Sequence, residues 1–260
     1  MAPDTPVTVT LGPKVLWIWL REGEVWLSHE AESSEEGRLR LRQGPPPPPP
    51  PIDDERWERW ATAGPVGRVD LHPVLPPRSI VLQPERVFRL SRGAGARVYV
   101  RVPLSIQVRV PGLQGALLEE IPTVTMSDTW WGDPMRGELA FWLPTTARRA
   151  MRAELFLPHL AVAPVQLWNR SQQDLRVEKL LLKVEHLALY EESPGRIWTD
   201  VATVRYQGES EESLIEKGGG PPEEAPEAHQ VAEPRVTAPS GLRAWTFDRI
   251  RSFSGLGFPP

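Results

Sequence analysis

The 260-residue chain contains no cysteine. That absence excludes disulfides, thiolate zinc sites, cysteine nucleophiles and iron–sulfur ligation together. It fits a reducing compartment, and a cytoplasmic location is the expectation. Asparagine occurs once, at Asn169, methionine four times, and arginine outnumbers lysine 26 to 4. Scarcity of thermolabile residues fits a thermophile, although codon bias accounts for the arginine excess equally well. No apolar run approaches the roughly 20 residues of a membrane-spanning helix; the longest early one is Val15 to Leu20. The N-terminus has no basic stretch followed by an apolar one. Neither membrane insertion nor a signal peptide is therefore expected. The five histidines, His29, His72, His159, His186 and His229, show no i,i+4 or His-x-His spacing, which speaks against a metal site. No Gly-x-Ser-x-Gly, P-loop or dinucleotide fingerprint is present, so no catalytic residue and no cofactor is expected.

What the chain has in excess is proline, 30 residues. Proline is excluded from helix interiors and central strands, which argues against a helical bundle. Seven of the prolines are consecutive, Pro45 to Pro51. They predict a polyproline II rod of about 22 Å at about 3.1 Å per residue. Such a rod reads as a stiff spacer or as a ligand for an aromatic-groove domain. The net charge of −4 is unevenly placed: Glu209 to Glu233 holds eight glutamates against Lys217 alone. There is no clustered basic face of the kind a nucleic-acid binder needs. Residues 208–240, rich in glutamate, proline, glycine and alanine, predict a disordered acidic linker.

Elsewhere the pattern is that of strands. Val15 to Leu20 and Glu24 to Ser28 flank Arg21-Glu22-Gly23 as a hairpin. Arg38 to Arg42 alternates arginine and leucine. From Arg97 to Val110 every even position is aliphatic and every odd one polar, aromatic or proline. That is strict period two, a strand with one buried face, bent or edged at Pro103. Gly137 to Leu143, Glu154 to Leu157, Val162 to Trp168, Val177 to Tyr190 and Ile197 to Tyr206 extend the set, separated by turn residues. Val177 to Tyr190 also fits a helical stripe, but two short strands or one long one suit the all-β surroundings better. Asp53 to Ala63 reads as a short capped helix or as a strand. The tryptophans of the first hairpin, Trp17, Trp19 and Trp26, are expected to be of mixed burial. The predicted fold is all-β: one or two antiparallel β-sandwiches, divided into 1–110 with its proline loop, 111–207, the linker 208–240 and an aromatic tail 241–260.

Three stretches carry a family resemblance: Asp70 to Val108 (DLHPVLPPRSIVLQPERVFRLSRGAGARVYVRVPLSIQV), Trp130 to Trp142 (WWGDPMRGELAFW) and Leu180 to Glu192 (LLLKVEHLALYEE). Pro73 and Val74, Val98 to Leu104, Trp131 to Pro134 with Gly137, and Leu187 to Tyr190 are the matching residues. Over roughly Trp57 to Tyr206 the chain resembles DUF432, an uncharacterised and largely archaeal family. The resemblance favours strand over helix at Asp53 to Ala63 and Val177 to Tyr190. It also implies an accessory role beside small-conductance mechanosensitive channels, whose genes often neighbour those of the family.

Two surfaces stand out as candidates. In the first, Gly132 and Pro134 shape a turn in which Asp133 serves as a hydrogen-bond acceptor. Around it Trp130, Trp131 and Trp142 offer flat faces for a ligand, with Asp133 and Arg136 as polar anchors. Asp133 and Glu138 as an acid–base pair is a weaker reading of the same turn. The second is the tail, where Leu242, Trp245, Phe247, Ile250 and Phe253 either fold back onto the core or form a tethered partner-docking motif. Arg148, Arg149 and Arg152 make a small basic cluster: a solvated face, or a contact for an acidic partner that includes the chain's own acidic segment. The function expected from all this is a non-enzymatic binding or accessory module engaging other proteins. The alternative is a small-molecule or carbohydrate-binding sandwich using exposed tryptophans.

Overall fold

A computed structural model describes residues 5–31, 45–111, 116–132, 134–135, 137–208, 211–237, 241–244 and 246–247. Apart from two single 3-10 turns, Ala153–Leu155 and Val184–His186, every regular element among them is a β-strand. Strands are numbered β1 to β21 along the chain. The all-β expectation therefore holds. The expected strand at 154–157 is instead the first 3-10 turn, and the alternating segment 38–42 lies outside the described residues.

The chain forms two units interleaved in sequence. The first comprises Met1–Val74, Pro103–Thr125 and Leu157–His159, so the expected division at residue 110 falls inside it. Its first sheet holds β1 (Val7–Leu11), β2 (Lys14–Arg21), β3 (Glu24–Ala31) and β4 (Glu58–Ala61) in chain order, all antiparallel. Its second sheet has the order β10 (Ala116–Pro122), β9 (Ser105–Val110), β5 (Asp70–Val74). Leu16, Ile18, Val25 and Leu27 of the first sheet and Val108, Val110 and Ile121 of the second form one apolar cluster. This is a β-sandwich core, each buried aliphatic contributing about 1.5–3 kcal/mol.

The opposite face of the first sheet is also covered. Val15, Trp17, Trp26 and Trp57 are buried there, with Trp19 partly so. Burial on both faces explains why β2 reads as an almost unbroken apolar run instead of alternating. The mixed burial expected of Trp17, Trp19 and Trp26 is observed. Of the stretch 53–63, expected as strand or short helix, Glu58–Ala61 forms the strand β4 and the residues before it form turns.

The second unit comprises Leu75–Val102, Met126–Phe156 and Leu160–Pro260. One sheet has the order β11 (Ser127–Trp131), β12 (Glu138–Ala147), β6 (Ile80–Pro84), β15 (Leu180–Leu182). A two-stranded ribbon pairs β7 (Phe88–Leu90) with β14 (Leu175–Val177). The largest sheet is built on β13 (Leu160–Asn169), against which β8 (Gly95–Pro103), β17 (Arg196–Thr199) and β18 (Ala202–Tyr206) pair. Beyond them lie β16 (Leu189–Ser193), β19 (Ser213–Lys217), β20 (His229–Ala232) and β21 (Leu242–Ala244). Pairing is mostly antiparallel, but β6–β12, β13–β17 and β13–β18 are parallel. The single strand expected over 197–206 is broken at Asp200. The buried Asp200 carboxylate accepts the Ala188 N–H at 2.9 Å and the Gly219 N–H at 3.4 Å. Burial pushes its pKa up, and those two hydrogen bonds pull partly the other way. Such a carboxylate locks the chain where strand geometry is interrupted.

The expected disorder of 208–240 is overturned for the residues described there. β19 pairs with β18 and β21, and β20 pairs with β16. Between them Glu224 takes a two-pronged hydrogen bond from the Arg97 guanidinium, 2.8 and 2.7 Å, and a third from the Tyr99 hydroxyl at 2.6 Å. Ala225 and Ala228 are buried against Tyr99, Tyr190 and Trp198. The segment is too poor in apolar residues to order itself. Preformed sheet edges and a bidentate arginine supply what its composition lacks. Among the described residues the acidic segment thus meets Arg97 and Arg205, through Glu224 and Glu216.

Two outcomes follow for stability. Gly12 has φ +61°, and a Cβ there would come within 2.1 Å of the buried His159 ring. Gly23 has φ +73° with nothing within 4 Å. Gly12→Ala is expected to cost about 3 kcal/mol, from overpacking added to backbone strain, and Gly23→Ala only about 1 kcal/mol; thermal melts of both variants measure the difference. For Glu224, burial pushes the pKa up, but the hydrogen bonds from Arg97 and Tyr99 outweigh it and hold the group below 4.5. A carboxyl lowered by folding lends stability that is full above its unfolded pKa and fades as pH falls through the folded one. Glu224→Gln should therefore lose about 2 kcal/mol near pH 7 and progressively less below about pH 4, read from urea melts across that range.

Candidate functional site

The segment 127–142 folds as the hairpin β11–β12. Its turn needs glycine: Gly132 has φ +98°, and a Cβ on it would lie 3.2 Å from the Gly137 backbone. A side chain at Gly132 would press on the Gly137 backbone across the turn. Asp133 and Arg136, the expected polar anchors, lie outside the described residues. Trp131 is paired opposite Glu138, Trp130 opposite Leu139 and Ser127 opposite Trp142. Cross-strand partners share a face and successive residues alternate. Trp131, Ala140 and Trp142 therefore belong to one face, and Asp128, Trp130, Leu139 and Phe141 to the other.

The two faces have opposite characters. Trp131 is 7% exposed and packs with Val81, Ala140 and Leu181, and half-buried Trp142 leans on the same cluster. On the other face Trp130 is 53% and Leu139 48% exposed. The Arg78 guanidinium lies over the Phe141 ring at 4.2 Å and pairs with Asp128 at 3.0 Å. In the turn beside them Met135 is 90% exposed. The expected platform of three tryptophans is thus corrected. Trp130 and Trp131 are sequence neighbours, so the pleat sends them to opposite sides, and only Trp130 reaches solvent. The surface is instead Trp130, Leu139 and Phe141, rimmed by Arg78 and Asp128. Apolar residues clustered on a sheet face mark interaction sites more often than isolated ones do. Leu139 and Phe141 were missed in the sequence because their face follows from cross-strand register and not from composition.

Glu138, the other half of the acid–base reading, pairs with Lys183. Lys183 in turn stands 4.0 Å from the Glu185 carboxylate. Ser79 donates its hydroxyl hydrogen to Glu185 at 3.0 Å, and His186 lies 3.8 Å from it. Burial pushes the Glu185 pKa up, opposed by its hydrogen bonds and by Lys183 and His186. Serine, histidine and acid are gathered here, but in the wrong order for nucleophilic catalysis. The serine proton is directed to the carboxylate, whereas activation needs it directed to the imidazole. The His186 Nδ1 faces the Val236 carbonyl at 3.1 Å, which can only accept, so that nitrogen carries the proton.

Of the five tail residues expected to fold back or to dock a partner, two are described, and both fold back onto the second unit. Leu242 sits in β21, opposite Ile215. Phe247 is buried, bridged to Leu180, with its ring edge-on to Tyr206 at 5.3 Å. Thr246 accepts the Leu181 N–H and donates to Ser213 at 2.5 Å. Thr246 and Phe247 are buried in the second unit and Leu242 is half-buried on its sheet edge; Trp245, Ile250 and Phe253 lie outside the described residues. Among the described residues no group of three or more histidine, aspartate or glutamate side chains is placed to hold a metal ion. No described helix is long and apolar enough to cross a membrane.

Residues 2–250 match the family described as protein of unknown function, DUF432. No curated protein and no solved structure matches the chain.

The division of the hairpin into a covered and an open face is testable by stability alone. Trp131→Ala is expected to cost about 3–5 kcal/mol, the range for emptying a buried aromatic site. Trp130→Ala should stay within about 0.5 kcal/mol of the parent, as exposed substitutions do. Urea melts of the two variants give the comparison directly.

Proposed function

The chain belongs to the DUF432 family, and from that premise we propose that it is a non-enzymatic binding module whose β11–β12 hairpin engages another protein. The observation carrying this reading is the apolar face that Trp130 of the edge strand β11 forms with Leu139 and Phe141 of β12, next to a turn that exposes Met135. Flat aromatic and flexible thioether side chains are those enriched in protein interfaces. A rim charge pair, Arg78 with Asp128, suits the polar border of such a patch. The edge position offers a partner backbone groups as well as side chains. A cytoplasmic location, the absence of nucleic-acid partners and an accessory place beside a mechanosensitive channel belong to the same proposal. They rest on composition and on the family resemblance.

The reading as a carbohydrate or small-molecule site loses its main support, because the three tryptophans do not share a face. The buried polar groups also favour binding over catalysis. Buried Asp200 holds backbone, buried Glu185 accepts a hydrogen bond from the Ser79 hydroxyl, and half-buried Glu138 pairs with Lys183.

The test is affinity capture from the native cell with covalent cross-linking, followed by reconstitution with the purified captured chain. Trp130→Ala combined with Leu139→Ser is expected to weaken that reconstituted complex at least about tenfold, as loss of a central aromatic anchor does, without changing the melting temperature. A complex unaffected by the double variant would refute this face as the contact. A shift of tryptophan fluorescence on adding sugars, lost with Trp130, would favour the ligand reading instead.

A further inference from the structure

The proline run 45–51 is fastened to the first unit along one edge. Trp57 donates its indole N–H to the Pro51 carbonyl at 2.9 Å, and the Asp54 N–H reaches the same oxygen at 3.1 Å. The Asp54 carboxylate then takes the Arg56 N–H and its guanidinium, and it is held down at a pKa of about 2 by those hydrogen bonds. Trp57 is buried in the tryptophan layer, its ring 6.0 Å from Trp19 and 6.1 Å from Trp26. The Arg59 guanidinium lies 4.0 Å over Trp26 on the same face. The end of the run therefore rests on an anchor of three rings packed edge-on and tilted.

Exposure along the run has a period of three. Pro50 is buried and Pro47 half-buried, while Pro45, Pro46, Pro48, Pro49 and Pro51 are exposed. A polyproline II helix has three residues per turn. Positions 47 and 50 form the edge turned to the protein, and 45, 48 and 46, 49 form two edges turned to solvent. Proline has no N–H, so the run lends no donors to any neighbouring strand.

We propose that this run is a displayed ligand, and that its partner is a protein with an aromatic-lined groove of the kind that reads polyproline II helices. A plain spacer needs no buried edge and no tryptophan N–H on its last carbonyl. A ligand gains from both. The helix is already stiff, and fastening one edge removes more of the ordering cost that a free peptide bears on binding. After Ile52 the exposed residues Asp53, Glu55 and Glu58 outnumber exposed Arg56 and Arg59, so a groove with a weakly basic flank is the fitting one. This surface is separate from the β11–β12 hairpin, and the two readings stand or fall independently.

The experiment uses the full chain and an isolated WW domain as the probe, titrated by calorimetry beside a synthetic peptide of residues 44–56. The expected result is tighter binding to the full chain than to the peptide, by about threefold or more, from pre-organisation. Pro48→Ala and Pro49→Ala together should weaken binding about tenfold with an unchanged melting temperature. Pro50→Ala should instead lower the melting temperature. Full-chain binding equal to or weaker than that of the peptide would overturn the proposal, because the docked run would then hide the edges it is claimed to display. So would a Pro48→Ala, Pro49→Ala variant that melts and binds like the parent.

Discussion

The architecture depends on the two-residue repeat of the pleated strand between Arg97 and Val110. Val98, Val100, Val102, Leu104, Ile106, Val108 and Val110 are all buried. One alternation thus supplies core to both units. Its first half is β8 on the large sheet, its second half β9 in the sandwich, and the interruption falls at Leu104, just after Pro103. There the Leu104 N–H leaves the ladder for the His159 carbonyl, and its own carbonyl accepts from the Thr123 N–H and hydroxyl. A break in pairing that kept parity leaves every aliphatic residue inside. A slip of one residue would turn the aliphatic set of one half outward and bring arginines in.

Charge does in this molecule what apolar residues cannot do alone. The acidic stretch after residue 208 is short of side chains to bury. It is held as an added layer by pairing to β18 and β16, by two buried alanines and by the Arg97–Glu224–Tyr99 cluster. Hydrogen bonds to charged groups are worth about twice neutral ones. One such cluster, well placed, can therefore order a segment that composition marks as unstructured. Arg97 is itself an odd-numbered member of the alternating ribbon. The pattern that buries valines on one side presents this guanidinium on the other.

The candidate surface was legible in part. The glycine turn and the concentration of tryptophan around 130–142 pointed to the right hairpin. Which aromatic groups face outward was not readable, because β11 and β12 had first to be paired. The register that sets Trp130 beside Leu139 puts Trp131 into the cluster with Val81 and Leu181. Leu181 comes from a strand far along the chain, and no local pattern announces it. The reverse holds for the tail: Leu242 and Phe247 look like an amphipathic motif in isolation, yet Ile215 and Tyr206 stand ready to receive them.

By itself the sequence determined what nearest neighbours decide: strand periodicity, the Glu22-Gly23 hairpin, the exclusion of helix by proline, and the family. These follow from backbone sterics and from side chains two residues apart. Tertiary structure alone decided the interleaving of the two units, the parallel placement of β17 and β18 against β13, the fastening of the acidic segment and the face each tryptophan presents. Each of those depends on partners distant in the chain, whose pairing is chosen by the burial and hydrogen bonding of the whole and not by any local preference.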